Sequence, residues 1–114
     1  MRQLSKLFQA LSDRTRLRIL CMLRLRPLCV CEIREVLQLA VSTVSKHLSI
    51  LRDAGLIEDF KDGKWVNYQR NHDPQAEQIH TMLQWIDQWM ADDAQAQKDE
   101  KAAAQADRNQ ICSQ

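Results

Sequence analysis

The sequence contains little glycine and little proline, two residues of each among 114, and only 5% of its residues are aromatic. Because glycine and proline open turns and end helices, their scarcity excludes long irregular loops and predicts a mainly helical chain. A chain of this length forms one domain, close to the size at which dimerisation often supplies additional buried area. No obvious repeat of the kind that solenoid proteins require is present.

The chain also lacks a long apolar run. The longest uninterrupted run covers residues 19–23, far short of the ~20 residues that a membrane span needs. Charged residues are spread through the first 18 positions, so a secretory signal is not indicated. We therefore expect a cytoplasmic protein with no membrane partner, in which the four cysteines are reduced thiols rather than a disulfide framework.

Motifs for catalysis are missing as well. The sequence holds no series of cysteine, histidine and acid, no paired carboxylates, no glycine-rich phosphate loop and no closed zinc motif. We therefore expect that the chain is not an enzyme. Two other classes remain, a DNA-binding protein and a protein-interaction module.

Charge is distributed unevenly, although the net charge is only +1. Residues 1–26 carry seven lysines and arginines against one aspartate, whereas residues 92–114 carry five acids against three bases. A basic front half and an acidic tail fit a protein that presents one face to phosphate groups. Solvated helix faces are the alternative interpretation of these charges.

Apolar residues at helical spacing predict two helices near the start of the chain. The first lies near residues 4–11. Ser12 is a candidate N-cap for the second helix, with Asp13 in its first turn. The second helix carries the apolar residues of 17–23, is expected to be buried, and is stopped by Pro27.

The next segment predicts a helix-turn-helix. A third helix is expected around residues 31–39, followed by a turn at Ala40 and Val41. Ser42 is a candidate N-cap for a fourth helix, which Gly55 ends as the C′ residue. Two helices joined by so short a turn are typical of this motif.

After residue 55 the pattern changes to that of a β-hairpin. Residues 56–60 and 65–68 favour strands, and Asp62 and Gly63 lie between them. An Asp-Gly pair favours a type I′ turn, which requires positive φ at both central positions. The hairpin is the expected wing of a winged helix-turn-helix.

Pro74 is predicted to open a last long helix. Its apolar stripe packs in the core or, in the interpretation that we favour, forms a homodimer interface with the first helix. The stripe consists of Ile79, Met82, Leu83, Ile86 and Met90, widened by Trp85 and Trp89. We therefore predict a mostly α fold with a small β-hairpin, a dimeric winged helix-turn-helix in residues 1–92, and a polar, flexible tail in residues 93–114.

The predicted fourth helix has the composition of a DNA-recognition helix. Such a helix presents short polar and cationic side chains to base edges and phosphates near its N-terminal end. The lysines beside the hairpin turn are placed to reach the DNA backbone or minor groove, although solvated lysines are an alternative, as is a packed histidine at His47. The candidate DNA-binding residues are Ser42, Thr43, Ser45, Lys46, His47, Lys61 and Lys64.

Four segments closely resemble the ArsR/SmtB family of dimeric winged-helix repressors. They are ALSDRTRLRIL at 10–20, LCVCEI at 28–33, STVSKHL at 42–48 and LRDAGLI at 51–57. The resemblance covers about residues 4–90. It implies that the chain represses transcription as a homodimer on operator double-stranded DNA, with no cofactor required.

The arsenic-responsive branch of that family carries a Cys-x-Cys motif where this chain has Cys29 and Cys31. The resemblance implies that these thiols bind As(III) or Sb(III) as an inducer, which releases the operator. The branch usually has a third cysteine at the position of Arg34. We therefore expect a two-thiol site, or one that Cys112 completes from the tail, while Cys21 is expected in the core.

A zinc site on the last helix, which the family also has, is not expected. His80 matches one of its ligands, but Gln78 stands where the family has aspartate, and Ala91 and Ala94 lie near the later ligand positions. His72 and Asp73 are then ordinary surface residues, as is His80.

The spacing of the two thiols predicts how binding would act. In a regular helix, residues two apart point about 200° apart, so Cys29 and Cys31 clamp one ion only if the helix start is irregular or unwinds. Binding is then expected to distort the helix that supports the recognition helix. Two alternatives stay open: Cd(II), Pb(II) or Cu(I) as the ion, or a redox switch in which Arg26 and Arg34 lower a thiol pKa.

Overall fold

The structure is a computed structural model that describes residues 1–111. The described chain is mostly helical and has one small antiparallel sheet with strand order β1-β3-β2. Its elements are α1 (Arg2–Leu11), α2 (Arg14–Met22), β1 (Leu28–Cys29), α3 (Val30–Leu37), α4 (Val41–Asp53), β2 (Ile57–Asp62), β3 (Trp65–Arg70), α5 (Glu77–Met90), α6 (Ala94–Gln105) and α7 (Arg108–Ile111). None of the described helices is long and apolar enough to cross a membrane.

The core is built around α2, whose second half is buried on every side. Leu20 and Ile19 are fully buried, as are residues from α3, α4 and the start of the wing. Cys21 belongs to this core, as predicted, and burial raises its pKa to about 11. The fully buried side chains contributed by the other elements include Leu28, Ile33, Val44, Leu48, Leu51 and Leu56.

Several helix ends differ from the prediction. Asp13, and not Ser12, is the N-cap of α2, because its carboxylate accepts the Arg16 backbone N–H at 3.1 Å. Ser12 instead ends α1 and donates its hydroxyl to the Gln9 carbonyl at 2.8 Å. At the end of α4 the prediction is confirmed, since Gly55 follows the C-cap with φ of 83°.

The first residues of α4 and α5 also differ from the prediction. α4 begins two residues earlier than predicted, at Val41, with Ala40 and not Ser42 as N-cap. α5 begins at Glu77 and not at Pro74, because Asp73 holds residues 73–76 in a turn. The Asp73 carboxylate accepts the Gln75 N–H at 3.0 Å, and its carbonyl accepts the Ala76 N–H at 3.0 Å.

The wing has a third strand that the sequence did not predict. β1 pairs with β3 through Leu28 opposite Tyr68 and Cys29 opposite Asn67. A strand of two residues is too short to show an alternating pattern, so its signal is absent from the sequence. The strand matters because it places Cys29 in the sheet, next to the start of α3.

The hairpin turn has a different type from the predicted one. Asp62 pairs with Trp65 in the ladder, so the two turn residues are Gly63 and Lys64. Among the described residues, positive φ occurs at Gly63 but not at Lys64, which excludes a type I′ turn. A glycine at the first central position is typical of the type II′ turn, which suits a two-residue hairpin equally well.

Residues 94–111 form a packed extension, which we call the C-terminal arm. The predicted flexible tail is therefore wrong for this part of the chain, while Cys112 lies outside the described residues. Asp93 caps α6 by accepting the Ala96 N–H at 2.9 Å. The small side chains of Ala96 and Ala103 let α6 approach the domain closely, and both are buried.

A buried ion pair fastens the arm to α2. Arg18 donates to both oxygens of Asp99 at 2.7 and 2.9 Å, and Asp99 is only 2% exposed. Arg24 donates to Glu100 at 2.6 Å in a more exposed position. Arg18 of α2 and Arg24, which follows α2, therefore pair with acidic residues of α6, and this accounts for part of the charge asymmetry that was predicted to serve phosphate binding.

The two neighbouring acids of α6 predict a clear contrast in stability. Asp99→Asn should lower the free energy of unfolding by about 2 kcal/mol, because it leaves a half-buried guanidinium without its carboxylate. The matched control Glu100→Gln removes an exposed pair and should cost less than about 0.5 kcal/mol. Urea denaturation measures both, and equal effects would contradict the role given to Asp99.

Candidate nucleic-acid interface and thiol site

The helix-turn-helix consists of α3, a turn at residues 38–40, and α4. Gln38 adopts a left-handed conformation with φ of 57° and donates its backbone N–H to the Arg34 carbonyl at 2.7 Å, which ends α3. One side of α4 faces the core through Val44, Leu48 and Leu51, all buried. This packing determines which side of α4 is left at the surface.

The exposed side of α4 carries four of the predicted DNA-binding residues. They lie in the first half of the helix, where a recognition helix meets base edges. Within the described part of the chain, no hydrogen bond engages their side chains, so their donors and acceptors are available to a ligand. These residues are Ser42, Thr43, Ser45 and Lys46.

His47 lies at the edge of this surface and is half-buried. Arg16 donates Nη1 to His47 Nδ1 at 3.1 Å, while its Nε donates to the Ala10 carbonyl at 2.8 Å. The structure therefore places His47 in a packed contact and leaves Nε2 as the ring nitrogen outside that bond. Arg16, which the sequence analysis did not single out, is the residue that orients the ring.

The wing places two exposed lysines beside α4. Lys61 lies on β2 and Lys64 in the turn, and Lys64 Nζ lies 5.0 Å from the centre of the Trp65 ring. Arg52 of α4 approaches Asp59 of β2 at 3.3 Å. This ion pair joins the C-terminal end of the helix to the first strand of the hairpin.

Cys29 and Cys31 flank the first residue of α3. Cys29 is the last residue of β1 and the N-cap of α3, with an extended backbone, and it is 2% exposed. Cys31 lies in the first turn of the helix and is half-buried. The two cysteines therefore do not both lie on a regular helix, because the N-cap residue Cys29 does not follow the helical rotation per residue.

Glu32 holds this helix start in place. Its Oε1 accepts the Cys29 backbone N–H at 2.9 Å, the reciprocal half of a capping box. Its Oε2 accepts from Arg26 at 3.3 Å, and the side chain of Glu32 is 5% exposed. Glu32 was not among the predicted site residues, although an acid three residues after a helix N-cap is a known capping signal.

Burial raises the pKa of the Cys29 thiol above its usual value, and the Glu32 carboxylate acts in the same direction. The backbone N–H groups of Glu32 and Cys31 oppose that shift without reversing it. In the redox-switch alternative, Arg26 lowers a thiol pKa. Its guanidinium is instead directed to the Glu32 carboxylate and to carbonyls of the arm.

Within residues 1–111, no group of three or more His, Cys, Asp or Glu side chains is arranged to hold a metal ion. The free cysteines there are Cys21 and Cys29, both buried. His80 Nε2 lies 2.7 Å from the Asp73 carbonyl, and His72 Nδ1 lies 2.6 Å from the Arg70 carbonyl.

A second surface lies between α1 and α5. Phe8 and Trp85 are more than half exposed there, and they line a groove of about 530 Å³ with Met82. Trp89 is 73% exposed and its ring centre lies 5.1 Å from that of Trp85. Exposed apolar side chains at this density mark a contact surface.

Known proteins are similar to this chain in sequence and in structure. A model of the bacterial regulatory protein arsR family matches residues 13–59. The chain is 37% identical over 92 residues to the arsenic resistance transcriptional regulator ArsR1 of Pseudomonas putida, with 76% of this chain and 71% of the relative covered. It is 45% identical over 65 residues to the arsenical resistance operon repressor of Escherichia coli K12, and it spans 56% of that relative's length.

A solved structure has the same architecture. The homodimeric winged helix-turn-helix DNA-binding domain of a possible ArsR-family transcriptional regulator from Mycobacterium bovis matches with a TM-score of 0.67 at 25% identity. The match covers 82% of both chains.

The raised pKa of Cys29 predicts slow alkylation at neutral pH. Because the thiolate is the reactive form, the rate with iodoacetamide should still be rising at pH 9, where an ordinary cysteine is half ionised. Peptide mass spectrometry of the reduced protein measures the rate at each cysteine, and the chain unfolded in guanidinium is the control. A rate that levels off below pH 9 in the folded protein would contradict this assignment.

Proposed function

The chain belongs to the ArsR family of DNA-binding transcriptional regulators, which are not enzymes, and we propose that it is a dimeric repressor that releases its operator when As(III) or Sb(III) binds Cys29 and Cys31. The observation that carries this proposal is the position of the thiols. They lie at the start of the helix that precedes the recognition helix.

The DNA-binding step uses the exposed half of α4. The hydroxyls of Ser42, Thr43 and Ser45 can bond to base edges or phosphates, and Lys46 supplies a cation for phosphate. His47, held by Arg16 through Nδ1, offers Nε2 as a further donor. Lys61 and Lys64 extend the contact to the backbone or minor groove beside the major groove that α4 enters.

The inducer step uses soft-ligand chemistry. Thiolates select thiophilic ions such as As(III) over magnesium or calcium, and the protein supplies two sulfur ligands one residue apart. When the Cys29 thiol forms a sulfur–arsenic bond, its proton passes to an arsenite hydroxyl, which leaves as water. A third sulfur, if one is used, is that of Cys112 or of an external thiol.

The link between the two steps is the first turn of α3. Cys29 is buried in an extended N-cap conformation, and a ligand that draws its sulfur toward Cys31 competes with this geometry and with the capping bond to Glu32. A disturbed α3 start shifts α4 through the turn at residues 38–40. By linkage, the ligand weakens DNA binding by the same factor by which DNA weakens ligand binding.

Dimerisation uses the surface between α1 and α5. A monomer of this size would leave Phe8, Trp85 and Trp89 in water, whereas a symmetric pair would bury the same patch from both subunits. Two recognition helices are then presented to successive major grooves, which a single domain does not achieve.

Fluorescence anisotropy with a labelled fragment from the gene's own upstream region tests the sensor proposal. Reduced protein should bind with strong salt dependence, and arsenite should weaken binding at least tenfold. Cys29→Ser should bind DNA but ignore arsenite, whereas the matched control Cys21→Ala should still respond, because Cys21 lies in the core. Loss of the response in Cys112→Ser would assign the third ligand.

Three results would redirect the assignment. Tight DNA binding that ignores arsenite but responds to cadmium would move the inducer to another soft ion. Release by peroxide alone would indicate a thiol redox switch. Absence of salt-dependent DNA binding would overturn the repressor function itself.

The dimer surface predicts a separate result. Trp85→Glu places a charge in the apolar groove and should convert the dimer to a monomer, with a matching loss of operator affinity. Leu25→Glu is the control, since Leu25 is 59% exposed on a different part of the surface and should leave the dimer intact. Sedimentation velocity measures the state of each variant. A dimer that persists in Trp85→Glu would exclude this surface.

A further inference from the structure

The C-terminal arm reaches the wing through one residue, Arg108. Its Nη2 donates to Asp62 Oδ2 at 3.0 Å, and its Nη1 donates to Asn67 Oδ1 at 3.2 Å. Its guanidinium carbon also lies 5.1 Å from the centre of the Trp65 ring. One side chain thus contacts both strands of the hairpin, close to its tip.

We propose that Arg108 is a positioning residue for the wing. In this proposal the arm holds the hairpin tip in the orientation in which Lys61 and Lys64 meet DNA, and Arg108 itself does not contact DNA. The inference rests on the proposed function, because it assumes that the wing binds the operator.

The arm is a suitable anchor because its own attachments are strong. Asp99 is buried in its two-bond pair with Arg18. At the other end of α6, Arg26 donates to the Ala103 and Ala106 carbonyls at 2.8 and 3.1 Å, which satisfies the carbonyl groups that a helix end leaves free. The position of Arg108 is therefore determined by the body of the domain and not by the wing.

The hairpin tip needs such an anchor because the third strand does not extend to it. β1 pairs with β3 only at Asn67 and Tyr68, so residues 61–66 form a two-stranded ribbon. An isolated two-stranded ribbon is marginally stable and strongly twisted. Arg108 bonds at Asp62, within the ribbon, and at Asn67, where the three-stranded part begins, and so joins the tip to the anchored part of the sheet.

Charge gives Arg108 a second effect on DNA binding. Asp62 lies next to Lys61 in the chain and two residues before Lys64, and its carboxylate would repel the phosphates that those lysines attract. The Arg108 guanidinium offsets that charge at 3.0 Å. Since Asp62 is 55% exposed at its side chain, the pair adds little to folding stability, and its removal should leave the domain folded.

Operator binding by the reduced, full-length chain tests the proposal, with Arg108→Met as the main variant. We expect a roughly three- to tenfold loss of affinity with an unchanged melting temperature. Lys98→Met is the matched control, because Lys98 is an exposed lysine of the same arm and its replacement removes the same charge. It should retain nearly wild-type affinity.

A double variant separates positioning from direct contact. If Arg108 acts through the wing, Arg108→Met combined with Lys64→Gln should bind little worse than Arg108→Met alone, because the displaced lysine no longer contributes. Arg108→Lys should restore only part of the affinity, since one ammonium cannot reproduce the two separate bonds of the guanidinium. In the free protein, the ¹⁵N heteronuclear NOE of Gly63 and Lys64 should fall in Arg108→Met.

Each contrary result has its own meaning. Effects of Arg108→Met and Lys64→Gln that multiply, with an unchanged NOE at the tip, would make Arg108 a direct DNA contact and overturn the proposal. Wild-type affinity in Arg108→Met would overturn it as well. A wild-type chain that does not bind the operator would instead refute the proposed function on which the inference rests.

Discussion

The hydrogen bond between the Glu32 carboxylate and the Cys29 backbone N–H is the interaction on which most of the structure depends. It begins α3, and α3 supports the recognition helix. It also fixes Cys29, whose backbone pairs with Asn67 in the sheet, so the same residue ends a strand and caps a helix. Through Arg26, the second oxygen of Glu32 is connected to the end of α6. One buried carboxylate therefore connects the thiol site, the wing and the C-terminal arm.

This arrangement explains how a small ligand could affect a DNA surface several elements away. Coupling needs a physical element with two arrangements that both sites favour differently. In the proposed function the start of α3 is that element, because its capped form is stabilised by a few hydrogen bonds and competes with any ligand that rearranges the thiols. The arm and the wing are attached to the same point, so a change there need not travel through the core.

Sequence patterns predicted the winged helix-turn-helix, the buried Cys21 and the exposed polar side of α4, because each depends on periodicity or on residues close together in the chain. They did not predict β1, which is too short to have a period. They also misjudged residues 94–111 as a flexible tail, since polar composition does not reveal that Asp99 meets Arg18, 81 positions earlier. For the same reason Arg18 and Arg24 were assigned to phosphate binding, although their carboxylate partners are Asp99 and Glu100 of α6.

The near-complete burial of Cys29 has a consequence for timing. A thiol that is 2% exposed meets a dissolved reagent only when the surrounding chain opens, and such local openings have their own equilibrium and rate. If the chain closes faster than the ligand reacts with Cys29, the rate of the response rises with ligand concentration but is lowered in proportion to the small open fraction. If the ligand reacts faster than the chain closes, the rate of the response cannot exceed the rate of opening. The stability of one capped helix turn would then set how quickly a cell can react to the ligand.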